Sequence, residues 1–198
     1  MTEATIPPLA LHGWYMLTQF ADLQGATDPA PDDKRRVSLG DLTARLDEWS
    51  DLGDEGWSAL YHMVGGGHDF LIVHLRPTLE ALGEAERALR LHPSSAYLSV
   101  TSGYLSVVEL GLYGHTLGLT KRAEREGIEI GSEDWIALVD ELLTQQLEKD
   151  YTRRRLFPRQ PPEMPWLCFY PMNKRRNVGQ NWYTLGLGER ARLMQEHG

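Results

Sequence analysis

The chain has 198 residues, of which 41% are hydrophobic and 24% charged, proportions of a soluble globular protein long enough to bury a core without staples. Twenty Lys+Arg against 28 Asp+Glu leave a net charge of -8, which argues against a general nucleic-acid binder. The single cysteine, Cys168, excludes an intrachain disulfide and fits a reducing, cytoplasmic compartment; no apolar run reaches membrane-spanning length, and the first residues have neither the basic start nor the apolar stretch of a signal peptide.

In chain order, residues 1–10 read as an arm in which Pro7-Pro8 prevents helix. Residues 12–20 are aromatic and β-prone, a first strand. After a Pro/Asp/Lys-rich loop, Ser38 is the expected N-cap of a helix whose apolar face carries Leu39, Leu42, Leu46 and Trp49. Trp57 to Val64 and Phe70 to Leu75 form a hairpin around the Gly65-Gly66-Gly67-His68-Asp69 turn. Pro77 opens a helix with Leu79, Leu82, Ala85 and Leu89 on one face, and Tyr97 to Leu110 reads as a long strand.

The order strand, helix, strand, strand, helix, strand is that of an α+β, ferredoxin-like domain, an antiparallel sheet with helices on one face. The expected division is 1–115 for this domain, 116–165 for a helical connector with a basic, Pro-rich linker, and 166–198 for the start of a second, related half. Gly111 to Gly131 has no clear period, whereas Trp135, Leu138, Leu142 and Leu147 mark a helix. Trp166 to Pro171 reads as strand and Gly188 to Glu196 as helix, so the second half repeats the opening of the first and is expected to be truncated.

The chemistry-bearing residues gather in the C-terminal third. Two basic triplets, Arg153-Arg154-Arg155 and Lys174-Arg175-Arg176, flank the apolar stretch Cys168-Phe169-Tyr170-Pro171-Met172. In an acidic protein this clustering suits a ligand with several anionic groups, because guanidinium forks onto carboxylates and Lys supplies a point charge; a solvated charged surface is the alternative. His197 follows Arg190, Leu193 and Met194 on one helix face, where it is either an iron ligand or a cap on helix carbonyls. The Gly65–Gly67 run lacks a phosphate-loop Lys. His62, His68 and His74 lie six apart, a spacing of hairpin surface or core rather than of a metal site, and Cys168 reads as a small buried hydrophobe.

Taken together, Tyr170-Pro171-Met172-Asn173-Lys174-Arg175-Arg176, Asn181-Trp182-Tyr183, Glu189-Arg190 and Glu196-His197-Gly198 resemble the haem-site region of coproheme decarboxylases, in the chlorite dismutase-like group of the dimeric α/β-barrel superfamily. Gly13-Trp14-Tyr15, Leu79-Glu80-Ala81-Leu82, Tyr104 to Leu110, Arg155-Leu156-Phe157-Pro158 and Pro161-Pro162 extend the likeness over about residues 12 to 198. The resemblance implies a homopentamer, each subunit holding two ferredoxin-like halves. It implies conversion of iron coproporphyrin III (coproheme) to haem b, with hydrogen peroxide as oxidant and a coproporphyrin ferrochelatase as a possible partner. By the same resemblance, Tyr170 matches the tyrosine that is oxidised to a radical and attacks the propionate, and His197 matches the proximal iron ligand. Lys174, Arg155 and Tyr104 match residues that hold propionates, and Met172 matches one beside the reactive side of the porphyrin. A chlorite dismutase or other haem peroxidase activity, and a non-enzymatic haem-binding pentameric module, are the competing expectations. The chlorite reading needs neither a tyrosine relay nor Lys174.

Overall fold

The computed structural model describes residues 6–25 and 33–195. The chain divides into two compact units, one of residues 13–108 with 159–161, the other of residues 1–12, 109–158 and 162–198.

The first unit is built on a sheet ordered β2-β3-β1-β4, from β1 (Ala10–Leu23), β2 (Trp57–His62), β3 (Phe70–Arg76) and β4 (Leu98–Gly111). β3 pairs antiparallel with both β1 and β2, with Ile72 opposite Gln19 on one side and Leu60 on the other. Contacts between β1 and β4 step in opposite directions, from Gln24 N with Tyr97 O to Thr18 Oγ1 with Tyr104 O, so that pair is antiparallel too. This is the expected ferredoxin-like order, and α1 (Asp33–Glu48) and α2 (Leu79–Leu91) cover one face. Ala21 and Ile72 from the sheet and Leu42, Leu46 and Leu89 from the two helices make one buried cluster. Their spacing follows from geometry: period 2 puts alternate strand residues on the helix side, while Leu42 and Leu46 lie one turn apart.

The helix α1 starts at Asp33, five residues before the expected Ser38 cap. Asp33 sits in its first turn, where a carboxylate favours the helix dipole, and Arg36 Nη2 pairs with it at 3.2 Å. Thr78 caps α2 by accepting from Ala81 N at 3.1 Å. On the other sheet face, the Arg159 guanidinium lies 5.2 Å from the Trp14 ring and binds Asp51 at 2.9 Å, while Tyr61 donates to Gln160 Oε1.

The second unit is mostly helical: α3 (Tyr113–Glu126), α4 (Glu133–Leu147), α5 (Asp150–Leu156) and α6 (Leu187–Gln195). The α3 helix fills part of the stretch in which no period is legible, because the polar Thr116 stands on its buried face between Leu112 and Leu119. What buries it is Leu119 and Ala123 packed on Trp135 of α4. Likewise, the basic linker begins as helix, with Leu156 of α5 buried against Leu11 and Leu112.

No strand forms over Trp166–Pro171; the chain there is extended without ladder partners. A β-prone stretch needs a neighbour to satisfy its backbone, and the described residues offer none. Cys168, expected buried, is accordingly exposed. The only pairing nearby is a short hairpin of β5 (Arg176–Asn177) and β6 (Gln180–Asn181), turned by Gly179 at a φ of 78°.

Candidate functional site

The basic triplet Lys174-Arg175-Arg176 is held by a local scaffold that runs from the extended segment into α6. Trp182 N donates to Arg175 O at 2.9 Å, and the Asn181 side chain caps the following 3-10 turn, Trp182–Thr184, by accepting from Tyr183 N. The Arg190 side chain, buried on α6, donates from Nε to Leu185 O at 2.9 Å and from Nη2 to Tyr183 O at 3.3 Å. These bonds satisfy carbonyls that a short turn leaves open and fasten the turn to α6.

On this scaffold the Lys174 ammonium lies 4.5 Å from the Trp182 ring centroid and 3.8 Å from Met194 Sδ. Tyr113 packs edge-on to Trp182 with centroids 6.0 Å apart. Burial raises the Tyr113 phenol above its ordinary pKa, and the nearby Glu109 carboxylate raises it further. Arg175 donates to Gln180 Oε1 at 2.9 Å, and Arg176 lies 5.0 Å over the Tyr183 ring. On α5, Arg155 donates to Tyr151 Oη at 2.7 Å and lies over the same ring.

Every one of these cations rests on an aromatic ring, an amide, a hydroxyl or a thioether. Among the described residues none of them pairs with a carboxylate. Elsewhere Arg36, Arg45, Arg122 and Arg159 each bind an acidic side chain, while Arg76 and Arg35 also donate to neutral partners. Neutral partners orient a cation without neutralising it, so these groups keep their capacity for an external anion.

Tyr170 and Met172 precede the triplet on the extended segment and are 64% and 80% exposed, with Trp166 at 85%. Large apolar side chains this exposed, next to unneutralised cations, fit a flat apolar ligand bearing carboxylates at its rim. Tyr104 belongs to the sheet unit, where its ring stands edge-on to Phe20 at 6.2 Å and its carbonyl accepts from Thr18 Oγ1. His197 lies outside the described residues. Of the expected site residues, the structure thus brings Lys174 together with Trp182 and Met194 and places Tyr170 and Met172 just before it. Arg155 stands on α5, on its own Tyr151 support. Tyr113 and Tyr151 were not singled out from the sequence; for Tyr151 the i,i+4 spacing to Arg155 on a helix was the available signal.

His68 pairs with Asp22 at 3.0 Å, and His74 is wholly buried. No group of three or more potential metal ligands occurs among the described residues.

The family model described as chlorite dismutase matches residues 35–198. A protein of Natronomonas pharaonis is 35% identical over 195 residues, which are 97% of this chain and 29% of that relative. A coproheme decarboxylase of Thermus thermophilus is 34% identical over 97% of this chain and 67% of its own length, and one of Staphylococcus carnosus is 32% identical over 95% and 67%. The chain therefore spans between about a third and two thirds of these relatives. A solved heme-binding protein from Thermus thermophilus superposes with a TM-score of 0.72 at 33% identity, covering 98% of this chain and 68% of that one. A family model over most of the chain and relatives above 30% identity give one conclusion: the chain belongs to the chlorite dismutase-like family.

Proposed function

We propose that this protein acts in haem biosynthesis as a peroxide-dependent coproheme decarboxylase, converting two propionates of iron coproporphyrin III to vinyl groups to give haem b. The observation that carries the reading is the set Lys174, Arg175, Arg176 and Arg155, each held by neutral partners. A substrate with four carboxylates supplies what these cations lack. The names of the relatives support the same substrate.

The stoichiometry is fixed by the product. Each propionic acid side chain gives a vinyl group, CO2, two protons and two electrons; each hydrogen peroxide takes up two protons and two electrons and leaves two waters. The iron porphyrin, when bound, supplies the site at which peroxide is reduced. The chain's residues do the rest. Vinyl formation with loss of CO2 requires removal of a hydrogen from the carbon β to the carboxylate. We assign that step to Tyr170, whose phenol can give up a proton and an electron and then accept a hydrogen atom. Lys174 and Arg155 bind and orient propionates, with Tyr104 as a further propionate contact and Met172 beside the porphyrin. His197 is the proximal iron ligand in this reading. Trp182 and Met194 hold the Lys174 ammonium without neutralising it.

The resemblance further supports a homopentamer in the cytoplasm, fed by a coproporphyrin ferrochelatase, with the second ferredoxin-like half beginning near residue 166. Among the described residues, no helix is long and apolar enough to cross a membrane. The test is to titrate the protein loaded with iron coproporphyrin III with hydrogen peroxide and follow the porphyrin by mass spectrometry. Stepwise loss of two carboxyl groups is expected; a carboxyl count that stays at four overturns the assignment.

A further inference from the structure

The methionine sulfurs among the described residues stand in three different surroundings. Met16 and Met63 are partly buried in the sheet unit. Met194 on α6 is partly buried too, and the Lys174 ammonium donates to its Sδ at 3.8 Å. Met164 and Met172 lie on the extended segment that leads to Lys174, 61% and 80% exposed. Among the described residues the Met172 sulfur has no hydrogen-bond partner. A thioether reacts with peroxide through a sulfur lone pair, so access to that pair governs the reaction. An ammonium N–H placed on the sulfur occupies a lone pair and withdraws electron density from it. Two methionines near one lysine therefore differ sharply: Met172 is open to an oxidant, and Met194 is covered.

We propose that Met172 is an oxidation site through which hydrogen peroxide limits porphyrin binding, and that Lys174 shields Met194 from the same reaction. The step balances. The Met172 sulfur takes one oxygen atom as the O–O bond breaks and an S–O bond forms, and the other oxygen leaves as water. Sulfur loses two electrons and the peroxide gains them. The sulfoxide is polar and bears an acceptor oxygen where the thioether was apolar. The inference rests on the decarboxylase reading for the source of the peroxide and for the place of Met172 beside the porphyrin. There, an apolar macrocycle would desolvate the new oxygen and propionate carboxylates would repel it. Peroxide in excess thus lowers coproheme affinity, and a methionine sulfoxide reductase restores it.

The test treats the full chain, without porphyrin, with hydrogen peroxide and locates the added oxygen by tandem mass spectrometry of its peptides. Met172 is expected to gain oxygen several-fold faster than Met194. Lys174→Leu keeps most of the side-chain bulk but no N–H donor, and is expected to raise the Met194 rate toward that of Met172. This arm involves no porphyrin, so its failure is distinct from failure of the decarboxylase reading. In a second arm the peroxide is removed and coproheme is titrated. Affinity is expected to fall roughly tenfold in the native chain, to recover after treatment with the reductase, and to be the same before and after peroxide in Met172→Leu. Met194 oxidised as fast as Met172, a Met194 rate unmoved by Lys174→Leu, or a peroxide-induced loss of affinity that Met172→Leu shares each overturns the proposal.

Discussion

Lys174 shows how neutral partners can hold a charged side chain. Its ammonium sits between an indole face and a thioether, partners that fix its position but leave its charge available. A charge-assisted hydrogen bond to a carboxylate contributes about 1.5–3 kcal/mol. Lys174→Gln is therefore expected to weaken coproheme binding by roughly 10- to 100-fold, read from the Soret band in an equilibrium titration; unchanged affinity would place the propionates elsewhere. This role was legible only in part. The sequence offered the cation and its neighbours Trp182 and Met194, while Tyr113, sixty-odd residues earlier, entered through tertiary packing that no local pattern encodes.

His74 makes the opposite case, a titratable group kept neutral. It is fully buried, and its Nδ1 lies 2.7 Å from Ser58 Oγ. Arg76 Nη2 donates to that same Oγ at 2.8 Å, and the ring's Nε2 has no partner. Burial, and secondarily the Arg76 charge, lower the His74 pKa from 6.5 to about 3. Between those values the unfolded chain binds a proton that the folded chain refuses. Stability is thus free of this cost above pH 6.5 and falls as the pH drops toward 3, with a limiting slope of about 1.4 kcal/mol per pH unit. Urea unfolding at pH 7 and pH 5 is expected to show this loss, and His74→Gln to shrink the difference between the two; an unchanged difference in the variant would remove His74 as its source.

At the scale of elements, the sheet unit was readable because its amphipathic periods are unbroken. The α2 helix carries Leu82, Ala85 and Leu89 at spacings of three and four and has a side-chain cap at Thr78. Thr78→Ala is expected to cost about 1 kcal/mol, measured as a shift in the urea midpoint with the slope unchanged. The elements that were misread lack such internal signals. Ser38 is a good cap, yet α1 starts at Asp33, where the charged turn Asp33–Arg36 already supports helix. The Trp166–Pro171 stretch has strand composition but, among the described residues, no pairing partner. Propensity describes a segment, whereas a strand is a property of two.

For the whole molecule, the family assignment and the ferredoxin-like order agree, and both were visible from the sequence of elements and the Tyr170 to Arg176 motif. The division into units was less accessible. Residues 159–161 belong with the sheet unit because Arg159 finds Trp14, Asp51 and Asp54 there, contacts more than a hundred residues distant in sequence. In the proposed reaction this molecule oxidises porphyrin propionates through the Tyr170 phenol. The most direct measurement compares native protein with Tyr170→Phe, each loaded with iron coproporphyrin III and given hydrogen peroxide, with products read by mass spectrometry. The variant is expected to bind coproheme with a similar Soret band and to retain all four carboxyl groups. Formation of haem b by Tyr170→Phe at the native rate would contradict it.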